Sequence, residues 1–456
     1  MGAPPMTAFP TQSIPNDALA LCNELAAAGH RAWVVGGCVR DVLRGESPAD
    51  WDLCTSATPE QMMAVFPRAI PTGIAHGTVT VVRAKQHFEI TTLRHEVGFS
   101  DGRRPDAVHF VDNIALDLAR RDFTINAMAV DPRTGELVDP FGGRDDLSAG
   151  VIRAVGQASE RFAEDGLRVL RAARFAARFG FELEAKTEQA IAGSLGSYRK
   201  VSGERVRDEW AKSMLAPKPS VAFELMRRTG ILEVTCPELM ESVGCTQNHH
   251  HSYDVWGHAL ACLDAGPQDA MLRLAALLHD VGKPRSKAWS EKTADYTFYD
   301  HERIGAEMVG PICARLKLSN DERARITDLV RHHMWHYDAW GDTAVRRWIK
   351  KVGLERIEDL LALRAADVRG KGPGKDFAED DARTGAFRAH IERVMAEGMA
   401  FGTKDLKIGG RDLMTELGIA PGPKLKVILE ALLEQVIEEP SLNERDALLA
   451  RARKLA

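Results

Sequence analysis

Apolar residues recur at helical spacing over 16–28 (NDALALCNELAAA), and Gly29 closes that run. The pattern then shortens. AWVVGG (32–37) reads as an apolar strand running into a glycine pair, with a helix expected over 38–44. WDLC (51–54), VTVV (79–82) and HFEITTLR (87–94) have strand character, the last two spaced as a hairpin. Residues 95–109 (HEVGFSDGRRPDAVH) are polar, contain Gly and Arg, and predict a mobile surface loop. NAMAVD (126–131) and LVDP (137–140) flank a PRTG turn, so the first 150 residues predict a mixed α/β domain.

Beyond residue 150 helical periodicity takes over and no convincing sheet is expected. SERFAEDGLRVLRAARFAARFG reads as a single helix closed by Gly180. Breaks fall near Pro217–Pro219, near Pro237, and across RGKGPGKDF (369–377), the best linker candidate. The expected fold class is an α/β head followed by an all-α body. Its expected divisions are a head at 1–150, a helical neck at 151–235, a histidine-rich domain at 236–370 and a helical tail at 371–456.

A chain of 456 residues exceeds one hydrophobic core, and 45% hydrophobic with 27% charged residues is an ordinary globular balance. The net charge of -5 argues against a protein that coats duplexes through a broad cationic surface. It leaves room for an enzyme that holds one RNA end in a locally basic groove. The seven cysteines form no CxxC pair and read as reduced thiols of a cytoplasmic protein, with neither a disulfide framework nor a zinc knuckle. No secretory signal opens the chain, and no run of about 18 apolar residues predicts a membrane span.

Asp50 and Asp52 stand two apart at the start of a predicted strand, where alternation turns both side chains to one face. Two such carboxylates suit Mg²⁺, a hard ion that keeps phosphate oxygens as partners. Read alone, DxD fits a capped turn or a solvated strand edge equally well. Context weights it: Gly36-Gly37 after a strand lets backbone N–H groups approach triphosphate oxygens, and Arg40 adds a forked donor. Glu89 on the neighbouring predicted strand is either a third catalytic carboxylate or an exposed strand residue. In RRDFTIN (120–126) two arginines beside an aspartate suit a polyanion. Asp165, Arg168, Arg171 and Arg174 recur every three residues, and residues 161–178 carry five arginines against two acids. Such a helix is either a solvated face of ion pairs or a protein template that reads an incoming base through paired donors and acceptors.

In this order, over residues 30–240, the motifs resemble the class II tRNA nucleotidyltransferase and bacterial poly(A) polymerase family. The resemblance implies a head of the DNA polymerase beta type that adds CCA from CTP and ATP to the 3′ end of tRNA without a template. It implies nucleotide contacts at Gly37 and Arg40 (GGCVRD), Mg²⁺ on Asp50 and Asp52 (DWD), and a nucleotide contact at Arg121. It makes Asp165 and Arg168 the base-reading pair, with Arg171 and Arg174 as helpers. DPFGGRDDL (139–147) matches the connector, Ser202-Gly203-Glu204-Arg205 opens the neck motif, and 95–109 sits where the family carries its flexible loop.

A second constellation is His258, His279-Asp280, His301, His332-His333 and Asp367. Imidazole suits a transition ion and aspartate completes a mixed shell. The set resembles the HD-type metal phosphohydrolases. That implies an unidentified divalent metal on His258, His279, Asp280 and Asp367, with His301, His332 and His333 as candidate extensions and His249-His250-His251 outside the core. The rivals are a poly(A) polymerase, a CC-only or A-only tRNA enzyme, an HD phosphohydrolase whose head recruits RNA, and a non-catalytic RNA-binding module.

Overall fold

The computed structural model describes residues 9–98, 107–248, 252–337, 340–372, 376–397, 400 and 402–456. The chain divides into two compact units, Met1–Pro237 and Glu238–Ala456. The break falls at one of the prolines, and 369–377 is instead a connection between helices inside the second unit. His249, His250, His251 and residues 99–106 of the expected loop lie outside the described residues.

In the first unit helix α1 (Asn16–Ala27) leads into strand β1 (Ala32–Val35), the glycine pair and helix α2 (Gly37–Leu43). Strand β2 (Leu53–Thr55) is followed by helix α3 (Pro59–Val65), strand β3 (Ile70–Gly73) and the hairpin of β4 (Thr78–Arg83) and β5 (Gln86–Thr92). Strands β6 (Arg94–Val97) and β7 (Ala107–Phe110) pair antiparallel, so both flanks of the expected 95–109 loop are extended ladder. Helix α4 (Ile114–Ala119) precedes β8 (Ala129–Val130) and β9 (Leu137–Val138). Seven of these strands form one sheet in the order β3-β4-β5-β2-β1-β8-β9, antiparallel except for the β2–β5 pair.

Register explains why this sequence folds so. Val79, Ile90, Leu53, Val34 and Val130 fall opposite one another across five strands, and each is at most 1% exposed. Burial of such a side chain contributes about 1.5–3 kcal/mol, and a one-residue slip would turn the whole row to the other face. Trp33, Val35, Cys54 and Ala129 on the opposite face form a second cluster with Ile114 and Leu118 of α4. The central strands are therefore apolar on both sides, which is why AWVV reads as a continuous run.

The sheet continues without a domain break into the neck. Thr124 N–H donates to the Arg153 carbonyl (2.9 Å) and Val155 N–H to that of Asp122 (3.1 Å). Helix α5 (Gly143–Ala149) precedes β10 (Val151–Ile152). The expected single helix is two, α6 (Ala158–Glu164) and α7 (Leu167–Phe179). A Cβ on Gly166 would lie 2.4 Å from the Ser197 carbonyl oxygen, so backbone crosses backbone there and the helix breaks. Strand β11 (Glu182–Leu183) pairs with β10, a ladder two residues long and too short to mark the sequence. Helices α8 (Ala185–Gly193), α9 (Leu195–Tyr198), α10 (Gly203–Met214), α11 (Ser220–Arg228) and α12 (Ile231–Thr235) complete the unit, and α13 (Pro237–Met240) spans the division.

The second unit is helical apart from the hairpin of β12 (Ala288–Ser290) and β13 (Asp295–Thr297). Helices α14 (Val255–Ala265), α15 (Ala270–Leu278), α16 (Lys283–Ser286), α17 (His301–Arg315), α18 (Asn320–His332), α19 (Asp342–Val352) and α20 (Ile357–Arg369) carry the histidine motifs. Helix α21 (Ala378–Ala396) follows, and α22 (Gly410–Leu417), α23 (Pro423–Glu438) and α24 (Arg445–Leu455) share a core that includes Leu413, Leu432 and Leu448. Among the described residues no helix is long and apolar enough to cross a membrane.

Candidate functional site

Asp52 precedes β2 by one residue, and its carbonyl accepts from Val35 N–H (3.0 Å), so the ladder already holds it. The strand thus begins later than WDLC suggests. In the parallel β2–β5 pair Leu53 lies opposite Ile90. One step back, Asp52 falls beside Glu89, both on the face away from the core row. Asp50 and Asp52 are both exposed. Even so, the protein around the Asp52 carboxyl raises its pKa; Arg121 opposes this, and the negative charges of Glu89 and Asp50 add to it. Three carboxylates on one face offer only hard oxygen donors and repel one another. A divalent cation such as Mg²⁺ fits that donor set and relieves the repulsion.

Gly36 adopts φ +78°, a conformation that favours glycine, and this turns the chain from β1 into α2. A Cβ there would lie 2.5 Å from Arg121 Nη1, and one on Gly37 would lie 3.5 Å from Arg40 Nη2. Two guanidinium groups therefore close over the glycine pair. Arg40 itself is only 4% exposed, and burial lowers its pKa against the pull of Asp41. Its N–H groups reach Asp41 Oδ1 (2.8 Å) and Asn126 Oδ1 (2.5 Å), and it stacks 4.7 Å from the Phe179 ring. The expected phosphate contact is thus already engaged by protein groups. Arg121 sits 3.6 Å from the buried Asp117, which also binds Arg120 (2.9 Å).

The arginines of α7 are likewise engaged. Asp122 accepts from Arg171 Nε (2.8 Å), Asn126 Nδ2 (3.0 Å) and Phe123 N–H (2.8 Å). Burial works to raise the Asp122 pKa, but Arg171, Asn126 and Arg168 outweigh it and hold the carboxyl well below its usual range. Arg174 pairs with Glu209 at 2.5 Å, both buried. Asp165 lies in the extended link between α6 and α7, off the arginine stripe. It caps Leu167 N–H (3.0 Å) and takes two N–H bonds from Arg205 (3.0 and 2.7 Å). Arg168 donates to Glu164 (2.7 Å) and to the carbonyls of Arg161 (3.1 Å) and Arg120 (2.8 Å). The expected Asp165–Arg168 pair therefore consists of two side chains with separate partners.

Roles for Asn126, Asp122, Arg205 and Glu209 were missed from sequence. A signal existed for the first: Asn126 is a buried amide in an otherwise apolar run, between Ile125 and Ala127.

In the second unit His258, His279, Asp280, His301, His333 and Asp367 converge. His258 Nε2 lies 3.1 Å from Asp367 Oδ1, His279 Nε2 3.2 Å from Asp280 Oδ2, and His301 Nε2 3.4 Å from Asp280 Oδ1. His332 ends α18 half-buried; the charges that act on it are those of Lys351, Asp328 and Arg331, and it is not part of the cluster. Burial opposes the charge of Asp280 and Asp367, yet neighbouring imidazoles, and Lys283 at Asp280, hold both carboxyls below their usual range. Lys283, one helical turn beyond Asp280 and 2.7 Å from it, was not anticipated.

A carboxylate-bearing mixed sheet, a glycine turn under two guanidinium groups and an all-α continuation define a nucleotidyltransferase. Comparison with known proteins agrees. Residues 32–153 match the poly A polymerase head domain, 180–242 the probable RNA and SrmB-binding site of polymerase A, and 297–452 the putative tRNA nucleotidyltransferase domain 2. The chain is 34% identical to the CCA-adding enzyme of Lactiplantibacillus plantarum over 95% of its own length and 94% of that enzyme. It is 36% identical to the A-adding tRNA nucleotidyltransferase of Deinococcus radiodurans over 88% and 91% of the two chains. The crystal structure of the Bacillus stearothermophilus CCA-adding enzyme in complex with CTP superposes with a TM-score of 0.71 at 29% identity, covering 96% and 97%. The chain belongs to the CCA-adding enzyme and poly(A) polymerase family of nucleotidyltransferases.

Proposed function

We propose that this chain adds C, C and A from CTP and ATP to the 3′ end of tRNA without a template. The observation that carries the reading is the Asp50, Asp52 and Glu89 face beside Arg121 and the Gly36–Gly37 turn. The RNA 3′-oxygen bonds to the α-phosphorus, the bond from that phosphorus to the pyrophosphate oxygen breaks, and the hydroxyl proton is released. Asp50 and Asp52 hold Mg²⁺, with Glu89 as a third carboxylate. When bound, the ion lowers the cost of an anionic 3′-oxygen and steadies the leaving pyrophosphate. Arg121 and the Gly37 backbone face the triphosphate, and Arg40 holds the glycine turn in place. Asp165 and Arg168 read the base edge; Arg171 and Arg174 keep α7 against the head through Asp122 and Glu209. Single-stranded acceptor bases are positioned by stacking and hydrogen bonding rather than by groove reading. The functional divisions are a polymerase beta type head (1–150), a neck (151–235), an HD-type domain (236–370) and a tail (371–456).

The test is a tRNA lacking its three terminal nucleotides, incubated with Mg²⁺ and labelled CTP, ATP or both, with product length resolved. Addition of C, C and one A is expected. A alone would place the chain with the A-adding relative, and long A tails with the polymerases. Asp52→Ala is expected to abolish addition while tRNA binding persists; turnover at the parent rate would sink the assignment.

A second reading concerns the other unit: an HD-type phosphohydrolase acting on phosphate esters at RNA ends. It is supported by the convergence of His258, His279, Asp280 and Asp367, and by the buried His279 Nε2, which has no hydrogen-bond partner. Those nitrogen and carboxylate donors fit a divalent transition ion.

A further inference from the structure

Four buried histidines of the second unit are anchored in the same way. Nδ1 faces a backbone carbonyl in each: Gly370 for His258 (3.0 Å), Ala276 for His279 (2.7 Å), Phe298 for His301 (2.7 Å) and Val330 for His333 (2.7 Å). A ring nitrogen facing a carbonyl carries the proton, so in neutral imidazole each Nε2 is a bare lone pair. All four Nε2 atoms lie within 4 Å of an Asp280 oxygen. Acceptors thus face acceptors. Lys283 (2.7 Å from Asp280) and Arg364 (3.2 Å from Asp367) serve the carboxylates, and His301 and His333 meet Nε2 to Nε2 at 3.2 Å, where both cannot carry protons. This is the arrangement of metal-ligating histidines fixed by backbone hydrogen bonds.

We propose that the cluster holds two divalent ions bridged by Asp280, where the HD motif alone implies one. The proposal rests on the HD-type reading above. Asp280 divides its oxygens. Oδ2 lies 3.5 Å from His258 Nε2 and 3.2 Å from His279 Nε2, while Oδ1 lies 3.4 Å from His301 Nε2 and 3.7 Å from His333 Nε2. Ligands about 2.1 Å from a shared ion stand roughly 3.0–3.4 Å apart at angles near 90–110°. His258, His279, Asp367 Oδ1 and Asp280 Oδ2 fit one such position, the first and third 3.1 Å apart. His301, His333 and Asp280 Oδ1 fit a second.

Backbone geometry supports the second position. A Cβ on Gly282 would fall 2.2 Å from the His301 carbonyl oxygen and 2.6 Å from Gly305 N. Only glycine admits this approach, and the approach sets His301 against Asp280. Mixed imidazole and carboxylate donors select Mn²⁺, Fe²⁺, Co²⁺, Ni²⁺ or Zn²⁺ over calcium. Ions bridged by one carboxylate sit about 3.5–4 Å apart, the spacing of two-metal phosphoester hydrolases. The adjoining cavity of about 430 Å³ is lined by Lys283, Arg364 and Lys371, cations suited to a phosphate ester. In hydrolysis there, the oxygen of water bonds to phosphorus, the ester P–O bond breaks, and the water proton passes to the departing oxygen.

The experiment uses the full chain with Asp50→Ala and Asp52→Ala, to silence the head carboxylates. It is stripped with chelator, reloaded with Mn²⁺ and desalted. Metal per chain is counted, and low-temperature EPR tests for exchange coupling. Two Mn²⁺ per chain with a coupled multiline signal are expected. Adding His301→Ala and His333→Ala should leave one ion and an isolated six-line signal, with circular dichroism verifying the fold. The parent signal decides the matter even where that variant fails to fold. One uncoupled ion in the parent would overturn the second position and leave the one-ion HD reading standing. Retention no greater than that of a His279→Ala variant would overturn both.

Discussion

Asp122 is the point at which the nucleotide-side segment of the head and helix α7 are joined, and its charge can be removed with almost no change of shape. Asp122→Asn turns an acceptor of four N–H bonds into a group with one amine among donors. Arg171 loses its counter-ion, with Nε and Nη2 formerly 2.8 and 2.5 Å from one carboxylate oxygen. Breaking a buried pair from one side costs about 3–5 kcal/mol. The Arg171 side chain is still 31% exposed, so water recovers part of this, and we expect a net cost of roughly 2–3 kcal/mol. At about 2–4 °C per kcal/mol for a unit of this size, its melting transition falls by roughly 4–12 °C. Calorimetry measures this, and a cycle with Arg171→Met should give a coupling energy of about 1–3 kcal/mol. The pH dependence has a definite sign. A carboxyl held below its usual range stabilises fully above its unfolded pKa and loses that contribution as pH falls toward its folded value. The gap between parent and variant should be flat from about pH 5 to 8 and narrow below about pH 4. A variant melting with the parent at pH 7, or a gap that widens in acid, would refute the reasoning.

Glu209→Ala should cost more, about 3–5 kcal/mol, because Arg174 is only 6% exposed and has no retreat to water; urea titration of parent and variant measures it. Arg168→Ala should relax the choice between CTP and ATP, since one paired contact to a base edge is worth about 1–3 kcal/mol of discrimination. Single-addition kinetics with each nucleotide would expose unchanged selectivity. Six of the seven cysteines are buried and Cys245 is half-buried. Burial pushes Cys22 and Cys38 up to about 12. A thiol reagent at pH 8 should therefore react quickly with one cysteine, and with all seven only after denaturation.

Much of the head was legible because its information is local. Strand parity placed Asp52 and Glu89 on one face before any pairing was known, and AWVV followed by two glycines announced a turn that only φ +78° at Gly36 could make. The α/β to all-α transition was visible in the change of period. The failures share a cause: partner choice depends on tertiary structure. Nothing within reach of Arg40 in sequence foretells Asn126, 86 residues on, as its partner. Asp165 keeps a three-residue spacing with the arginines, yet a backbone crossing at Gly166 ends that helix, and its partner Arg205 is 40 residues away. Ladders of two or three residues, such as β10–β11 and β12–β13, carry too few alternations to register. In the second unit the His–Asp adjacency marked a site, but the exclusion of His332 beside His333 depended on where α18 ends.

The internal pairing of the arginines also bears on how a chain of net charge -5 can handle polyanions. An unpartnered arginine that orders on binding forfeits about 1.5–2 kcal/mol of rotamer freedom. Arg168 does not begin unordered: Glu164 and the carbonyls of Arg161 and Arg120 fix the fork from three directions. Arg171 and Arg174 are pinned by Asp122 and Glu209, and Arg174 stacks 4.1 Å from the Phe175 ring. A nucleotide that meets these groups meets a rigid pattern of donors whose ordering cost was met in folding. Rigidity of this kind favours discrimination between base edges over affinity, since a fixed fork cannot follow a mismatched partner. The same carboxylates that orient the arginines cancel their long-range field. Binding then depends on close geometric fit and on the metal-holding carboxylates, and a broad cationic surface is not required.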